Sequence, residues 1–335
     1  MIMKIAYTIL ADTLKDKLIN KGFEKSDALE CARLFAQATL DGVNSHGVNR
    51  FVLFMSNIDK GIIDIQSKPL KIKSFNALEQ WDGQLGSGPN NASFAMTRAM
   101  TLADQYGISC VALRNTNHWM RGGNYGLLAA EAGYMSICWS NTMPNMPAWG
   151  GNMPRIGNNP LIFSMPGNPH PILLDMSMSL FSYGKMESYQ RQDKKLPYPG
   201  GFNKAGEMTD DPQSIIESML PISIGYWKGS GLSIMLDLFA AILSEGRSTG
   251  EVGQDDEESG LSQVFICLSP DKFLSKGKMH DIVNEILSYT KKSSTIDPDA
   301  EVRYPSERSF RIRAKQLEEG IEVHDQVWQE ILALG

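Results

Sequence analysis

Apolar residues recur at helical spacing from Thr8 to about Gly22 (Leu10, Leu14, Leu18, Ile19), and again after Lys25-Ser26-Asp27 through Ala28, Ala32, Leu34, Phe35 and Ala38. That spacing keeps one side of a helix apolar, so two amphipathic helices are expected, with a third from about Gly47 to Ile58. Beyond Gly61 the period shortens: Leu70 to Phe75 and Leu78 to Trp81 are β-like, and Asp82-Gly83 makes a turn. The change places a fold boundary near residue 70. Helical spacing returns from Pro89 to Tyr106, and a buried-strand run from Ile108 to Leu113 then delivers Arg114-Asn115-Thr116-Asn117-His118. Gly122-Gly123 leads into a helix over Leu127 to Ala132, and Met135 to Trp139 forms a strand ending at Ser140-Asn141. Leu161 to Met165 and Ile172 to Leu174 are strands flanking a Pro-rich turn, and the second runs into Asp175-Met176-Ser177-Met178-Ser179. Alternating α and β pieces whose strand ends carry polar groups are where sites form.

Residues 191 to 213 are rich in Lys, Pro, Gly, Asp and Asn and predict a long loop. Gly229 to Leu243 predicts a strong helix, Val264 to Leu268 a strand, Lys278 to Tyr289 a helix, and Phe310 to Leu317 and Asp325 to Leu334 two closing helices. No internal repeat is visible. A chain of 335 residues is long enough for about two domains. Its net charge of −6 and lack of any basic run argue against a nucleic-acid surface. The acidic run Glu251 to Glu258 is most simply a solvated loop, with a metal site as the lesser reading. Cys31, Cys110, Cys138 and Cys267 are far apart in apolar surroundings, which predicts unpaired thiols in a reducing compartment and no Cys-based metal site. The N-terminus lacks the pattern of a secretory signal, and no apolar run approaches the ~18 residues of a membrane span, so a cytoplasmic protein is expected.

Candidate chemistry begins at Ser45-His46-Gly47-Val48-Asn49-Arg50. Histidine gives and takes protons near neutral pH, while arginine forks onto a carboxylate through two parallel hydrogen bonds. Four residues apart on a helix, the pair would meet one small oxo- or hydroxy-acid, with Ser45 as a plausible helix N-cap. The alternative is a capped helix with a surface His and Arg. No Gly-x-Gly-x-x-Gly follows a strand: Gly83, Gly86 and Gly88 have the wrong spacing, and Gly157-Asn158-Asn159-Pro160 reads as a plain turn. A Gly-x-Ser-x-Gly elbow, a P-loop and a His-Glu-x-x-His helix are absent too, which leaves hydrolase and kinase readings unsupported.

Taken together, Ser45-His46-Gly47 with Arg50, Asn117-His118, Asn158-Asn159-Pro160-Leu161, Asp175-Met176-Ser177 and Lys228-Gly229 resemble the malate/L-lactate dehydrogenase family, whose nicotinamide fold is not the Rossmann one. The resemblance covers nearly the whole chain. Glu79-Gln80-Trp81-Asp82, Trp119-Met120-Arg121-Gly122-Gly123, Phe181-Ser182-Tyr183-Gly184 and Gly225-Tyr226-Trp227 are similar to a narrower branch that acts on a sugar-derived 2,3-diketo acid. The resemblance implies an α/β (α+β) fold. A mixed-sheet, non-Rossmann NAD-binding domain would span 73–299, and a helical domain carrying the His/Arg motif would combine 1–72 with 300–335.

By position, the resemblance makes His46 the proton donor and His118 a second catalytic group, the assignment between the two staying open. Ser45 and Arg50 would bind substrate. Pro171, Ile172, Leu173, Leu174, Asp175, Met176 and Ser177, then Trp227 and Lys228, then Ser306, Glu307 and Arg308, would line the dinucleotide. Where the family has Gly and His, this chain has Ser306 and Glu307, so main-chain contacts are the expectation there. Read without the resemblance, His118 is equally a hydrogen-bonded core histidine, Asp175 a helix cap and Lys228 a surface lysine. A cation at a helix start is unfavourable, and a pyrophosphate beside it would relieve that cost.

The implied reaction is hydride transfer from NADH, with NADPH open, to a ketone of the sugar-derived diketo acid. Two alternatives stand beside it. One is a dehydrogenase of a simpler 2-hydroxy acid such as malate, L-lactate or ureidoglycolate; the other is a sugar-acid binding protein that has lost the reaction. No metal is implied, and the family suggests a homodimer with a shared pocket.

Overall fold

A computed structural model describes residues 2–275 and 277–335. The chain opens with strand β1 (Ile2–Ile5) and helices α1 (Tyr7–Asn20) and α2 (Lys25–Leu40). Leu10, Leu14 and Leu18 of α1 share a core with Ala28, Cys31 and Phe35 of α2, as the helical spacing requires. A 3-10 turn at Asn44–His46 leads into α3 (Val48–Asp59). Ser45 is not the N-cap of that helix, because the helix starts three residues later. The Val48 amide instead donates to Thr39 Oγ1 of α2 at 2.9 Å. A Cβ on Gly47 would sit 2.4 Å from that same oxygen, so only glycine permits the approach.

Next come β2 (Leu70–Phe75), β3 (Leu78–Asp82), α4 (Gly88–Tyr106), β4 (Ile108–Thr116), α5 (Gly123–Glu131) and β5 (Met135–Ser140). A ribbon of β6 (Met146–Pro147) and β7 (Pro154–Ile156) precedes β8 (Leu161–Met165), β9 (Ile172–Met176) and α6 (Tyr183–Arg191). The segment expected as one long loop, 191 to 213, holds a second ribbon of β10 (Gly201–Phe202) and β11 (Met208–Thr209) and the start of α7 (Pro212–Ser218). Strands of two residues carry no periodic signal, which is why the pattern missed them. The remainder is α8 (Trp227–Ser244), α9 (Thr249–Val252), β12 (Leu261–Leu268), α10 (Lys278–Lys291), α11 (Glu307–Glu319), β13 (Ile321–His324) and α12 (Asp325–Ala333).

The main sheet has seven strands in the order β2-β3-β4-β12-β5-β8-β9. Only β3 and β4 run parallel; every other neighbouring pair in this sheet is antiparallel. The sheet is therefore mixed, and it is not the parallel array of a doubly wound dinucleotide fold. Side chains alternate across it: Phe265 and Cys267 of β12 join the core under α4 and α5, while Val264 joins the core under α8. The Glu79-Gln80-Trp81 stretch is structural. Glu79 is buried under a bidentate Arg98 at 2.8 Å and the Trp81 indole at 2.9 Å, which hold its carboxyl down at about 2. The four cysteines are free thiols, and burial pushes Cys110 up to about 11 and Cys267 up to about 12.

Both ends of the chain meet in the helical core. β1 pairs antiparallel with β13, and Trp328 and Ile331 of α12 pack with Phe51, Phe54 and Met55 of α3. Asp41, at the end of α2, ties this unit to the sheet. Its carboxylate accepts from Arg121 in the loop before α5, and from Arg313 of α11 at 2.6 and 2.9 Å. Asp41 and Arg121 are almost fully buried.

Removing one member of a buried ion group strands the others uncompensated, at a cost of about 3–5 kcal/mol. Asp41→Asn is therefore expected to lower stability by about 3 kcal/mol in urea unfolding. A variant within about 1 kcal/mol of wild type, near the value of an exposed pair, would refute this role.

Candidate active site

A cleft of about 690 Å³ opens where α3, the β4–α5 loop, the end of β9, the start of α6 and the start of α11 converge. That is within the range of small-molecule sites. Ser45, His46, Arg50 and His118 all lie on its wall, and so do Leu173, Leu174, Asp175, Ser177 and Ser306. Pro171, Ile172, Met176, Glu307 and Arg308 neighbour these in sequence without lining the cleft. Trp227 and Lys228 are elsewhere: both are exposed at the start of α8, with the Lys228 ammonium 5.9 Å from the Trp227 ring.

His46 sits in the 3-10 turn rather than on α3, so the His/Arg pair is brought together by a turn feeding a helix. Its ring stacks on that of His118 with centroids 5.8 Å apart and planes 15° from parallel. Ser45 Oγ is 3.0 Å from His46 Nδ1. His118 is fixed differently, because its Nδ1 accepts the Met120 amide at 3.0 Å. A ring nitrogen that accepts carries no proton, so neutral His118 keeps its hydrogen on Nε2. Met120 has φ of +63°, a strained value for a non-glycine residue, and the turn it makes aims that amide back at the ring.

Desolvation lowers the proton affinity of both imidazoles. His118 is pushed well below 6.5, with the His46 and Arg50 charges adding to the effect. His46 is lowered by burial first, while Asp175 pulls it back up and Arg50 and Arg121 oppose that. Asp175 belongs to strand β9, and the helix it caps is not the one that follows it. Its Oδ2 accepts from the Gly123 amide that opens α5, at 2.9 Å. A Cβ on Gly123 would lie 2.6 Å from that oxygen, so the glycine is required for the contact. Arg121 Nε, 3.9 Å from the same oxygen, has no hydrogen-bond partner. Arg50 is exposed and makes no ion pair among the described residues.

The sequence pattern left several features unread. Glu258, the last residue of the acidic run, is not a solvated side chain: it lines the cleft, and its Oε2 accepts from the Met143 amide at 3.0 Å. Desolvation pushes its carboxyl up from the usual glutamate value. Glu251, at the other end of the run, closes a capping box on Ser248. Asn57 lies two helical turns after Arg50 on the same face, a spacing that a search for i+7 partners would have found. The Asn158-Asn159 turn is built into the fold. Asn159 donates to the Ser233 carbonyl of α8 at 2.9 Å, and Asn158 receives the Asn145 amide at 3.0 Å.

Edge strand β9 and the start of α11 fit a nicotinamide group. The Leu173 amide points away from β8 to reach Ser306 Oγ at 3.2 Å, and Ser306 returns a hydrogen bond to the Pro171 carbonyl at 3.0 Å. By the alternation of an antiparallel edge, the Asp175 peptide group points the same way, open to a carboxamide. Ser306 therefore makes the side-chain contacts within the protein, a use that glycine could not serve.

Comparison with known proteins gives a consistent result. A family model described as malate/L-lactate dehydrogenase matches residues 5–332. The 2,3-diketo-L-gulonate reductase of Klebsiella pneumoniae (strain 342) is 43% identical over 333 residues, covering 99% of this chain and 100% of the relative. The protein of that name from Pasteurella multocida is 41% identical with the same coverage. Among solved structures, sulfolactate dehydrogenase from Methanocaldococcus jannaschii superposes with a TM-score of 0.87 at 28% identity, covering 98% of this chain and 95% of that one. Malate dehydrogenase from Entamoeba histolytica has a TM-score of 0.95 at 23% identity, over 100% and 97% of the two chains.

The histidine geometry sets a pH dependence of stability. Folded His118 holds its proton less tightly than the unfolded chain, whose value is near 6.5, so the unfolded state gains protons first on acidification. The stability contribution is complete above that pH and is lost progressively below it. Urea midpoints should fall between pH 7.5 and pH 5.5, and fall less in His118→Gln, whose side chain still accepts from the Met120 amide. Identical pH dependence in the two proteins would contradict the assignment.

Proposed function

The chain belongs to the malate/L-lactate dehydrogenase family, and from that premise we propose that its cleft reduces 2,3-diketo-L-gulonate to 3-keto-L-gulonate with NADH. Full-length relatives carrying the name of that reductase support the substrate. The observation that carries the mechanism is the unequal fixing of the two stacked histidines. His118 Nδ1 is occupied by a backbone amide, so this ring acts as a neutral donor through Nε2–H, toward the reacting carbonyl oxygen or the hydroxyl beside it. His46, lowered by burial but with the Asp175 carboxylate partly offsetting that, is the ring that takes a second proton and releases it to the forming alkoxide. Arg50, which makes no ion pair among the described residues, clamps the substrate carboxylate and turns the ketone toward β9. The bound nicotinamide supplies the hydride.

Helix α8 supports a homodimer. Its buried face carries Ser230, Ser233, Leu236, Ala240 and Ser244, while Ile234, Met235, Leu238, Phe239 and Ile242 face outward. An apolar stripe at i, i+1, i+4, i+5 and i+8 toward water is a surface awaiting a partner. Trp227 and Lys228 open that helix and miss their own cleft. We place their dinucleotide role across the interface, where a neighbouring protomer's cleft receives them.

Kinetic, light-scattering and NADH-binding measurements test these readings. NADH consumption with 2,3-diketo-L-gulonate, malate-type and lactate-type oxo acids, repeated with NADPH, is expected to favour the diketo acid and NADH. His46→Asn should lower turnover by about 10²–10⁴-fold while NADH still binds, and Arg50→Lys should act mainly on KM. A dead His118→Asn beside an active His46→Asn would reverse the roles. Light scattering should give a dimer for wild type and a monomer for Ile242→Glu. If Lys228 acts across the interface, Lys228→Ala and Ile242→Glu should both weaken NADH binding, by about tenfold for the lost charge-assisted bond. A monomeric Ile242→Glu with wild-type NADH affinity would exclude it.

A further inference from the structure

Besides the two histidines, the cleft wall carries residues 256–258, which are fastened at two points. Lys60, the residue after α3, holds Glu257 at 2.5 Å, and the Met143 amide holds Glu258 Oε2 at 3.0 Å. The other oxygen of Glu258 makes no hydrogen bond among the described residues and is left for whatever fills the cleft. Two amides line the same cleft. Asn57 Oδ1 and Asn145 Oδ1 are buried and have no hydrogen-bond partner among the described residues. Buried polar atoms are satisfied in most proteins, so orphans lining a cleft point to groups on a ligand.

Position and chemistry agree. Asn57 follows Arg50 by seven residues on α3, about 10 Å along the axis. An extended six-carbon acid, with bonds of about 1.5 Å, reaches from a carboxylate at Arg50 toward Asn57. Hydroxyls both donate and accept, so they suit an amide in either orientation and the free oxygen of Glu258. A carboxylate only accepts, and beside Glu258 it would meet a like charge; no cation pairs with Glu258 among the described residues, and the Arg50 charge that acts on Glu258 is engaged by the carboxylate at the reacting end.

Building on the oxo-acid reading of the cleft, we propose that Glu258, with Asn57 and Asn145, recognises the hydroxylated tail of the substrate and turns away acids that carry a second carboxylate there. The subsite selects the substrate class. Arg50 and the histidines act on the reacting end, which every oxo acid shares, whereas the Glu258 end reads the remainder of the molecule.

The test compares kcat/KM for three six-carbon oxo acids: 2,3-diketo-L-gulonate with its hydroxylated tail, 2-oxohexanoate with an apolar tail, and 2-oxoadipate with a terminal carboxylate. Each value is divided by that for pyruvate, which has no tail, so that any loss of folded enzyme cancels. Wild type should rank the hydroxylated acid first and 2-oxoadipate last. Glu258→Gln keeps an acceptor for the Met143 amide but loses the charge. It should raise relative activity on 2-oxoadipate by about tenfold or more and lower that on the hydroxylated acid several-fold. Asn57→Ala should raise KM for the hydroxylated acid more than for 2-oxohexanoate. If Glu258→Gln leaves the ratio of hydroxylated acid to 2-oxoadipate within twofold of wild type, the subsite is wrong while the reductase reading stands. A wild-type enzyme that reduces none of these acids overturns the reductase reading and the subsite with it.

Discussion

The carboxylate of Asp41, held between Arg121 and Arg313, is the interaction on which the arrangement of the cleft depends. It joins three parts of the chain that are remote in sequence: the end of α2, the loop that carries His118 into α5, and helix α11. Each contributes a wall. Asp41 lies five residues before His46, Arg121 three residues after His118, and α11 begins beside Ser306. A buried ion group of this kind gains little net stability over a well-packed apolar one, because desolvation offsets most of the attraction. What it supplies is geometry: a guanidinium and a carboxylate accept few relative orientations, so two cores that pack by shape alone are held in one register.

The same network sets the field around the histidines. Arg121 donates to Asp41 on one side and leaves its Nε facing Asp175 on the other. Asp175 is therefore shared between the α5 amide, a cation and the electrostatics of His46. Two positive charges, Arg50 and Arg121, oppose protonation of His46, and one negative charge favours it. In the proposed reduction, the substrate carboxylate neutralises Arg50 on binding. That removes one of the two opposing charges and adds a negative one nearby, so substrate binding itself raises the proton affinity of the donor. Burial, Arg50 and Arg121 lower the proton affinity of His46 in the free cleft, and a bound carboxylate would act in the opposite direction.

How much of this was legible in the sequence follows from the range of the forces involved. Helices α1 to α4, α8 and α12 were readable because local apolar spacing determines them. The sheet order was not: β12 inserts between β4 and β5, more than a hundred residues away, and no local pattern encodes a partner at that distance. Ser45-His46, Arg50 and His118 stood out because few residue types do proton and carboxylate chemistry. Asp175 was visible as a residue but not as a group that caps α5 across the sheet. Glu258 was hidden in a run of acids whose other members are mostly solvated or tied up in capping, and only the Met143 amide and the cleft wall distinguish it. The Glu79-Gln80-Trp81 stretch gave the opposite case: a conspicuous motif whose residues serve an internal ion pair.

Helix α8 marks where periodicity detects an element and misjudges its sides. Its apolar residues are so numerous that the pattern predicts a helix without saying which face is buried. The sheet decides, because β4, β5 and β12 already present Ala112, Trp139 and Val264 toward it, leaving room for serines and alanine at the closest approach. Ser233 uses that proximity to donate to the Gly157 carbonyl, and Trp139 donates to the Leu236 carbonyl at 3.0 Å. The large side chains are forced outward. Interior packing thus imposes an apolar surface that water penalises, on the helix that opens with Trp227 and Lys228, and the proposed second subunit would cover it. In the proposed dimer, covering that face and completing the cofactor site would be one requirement.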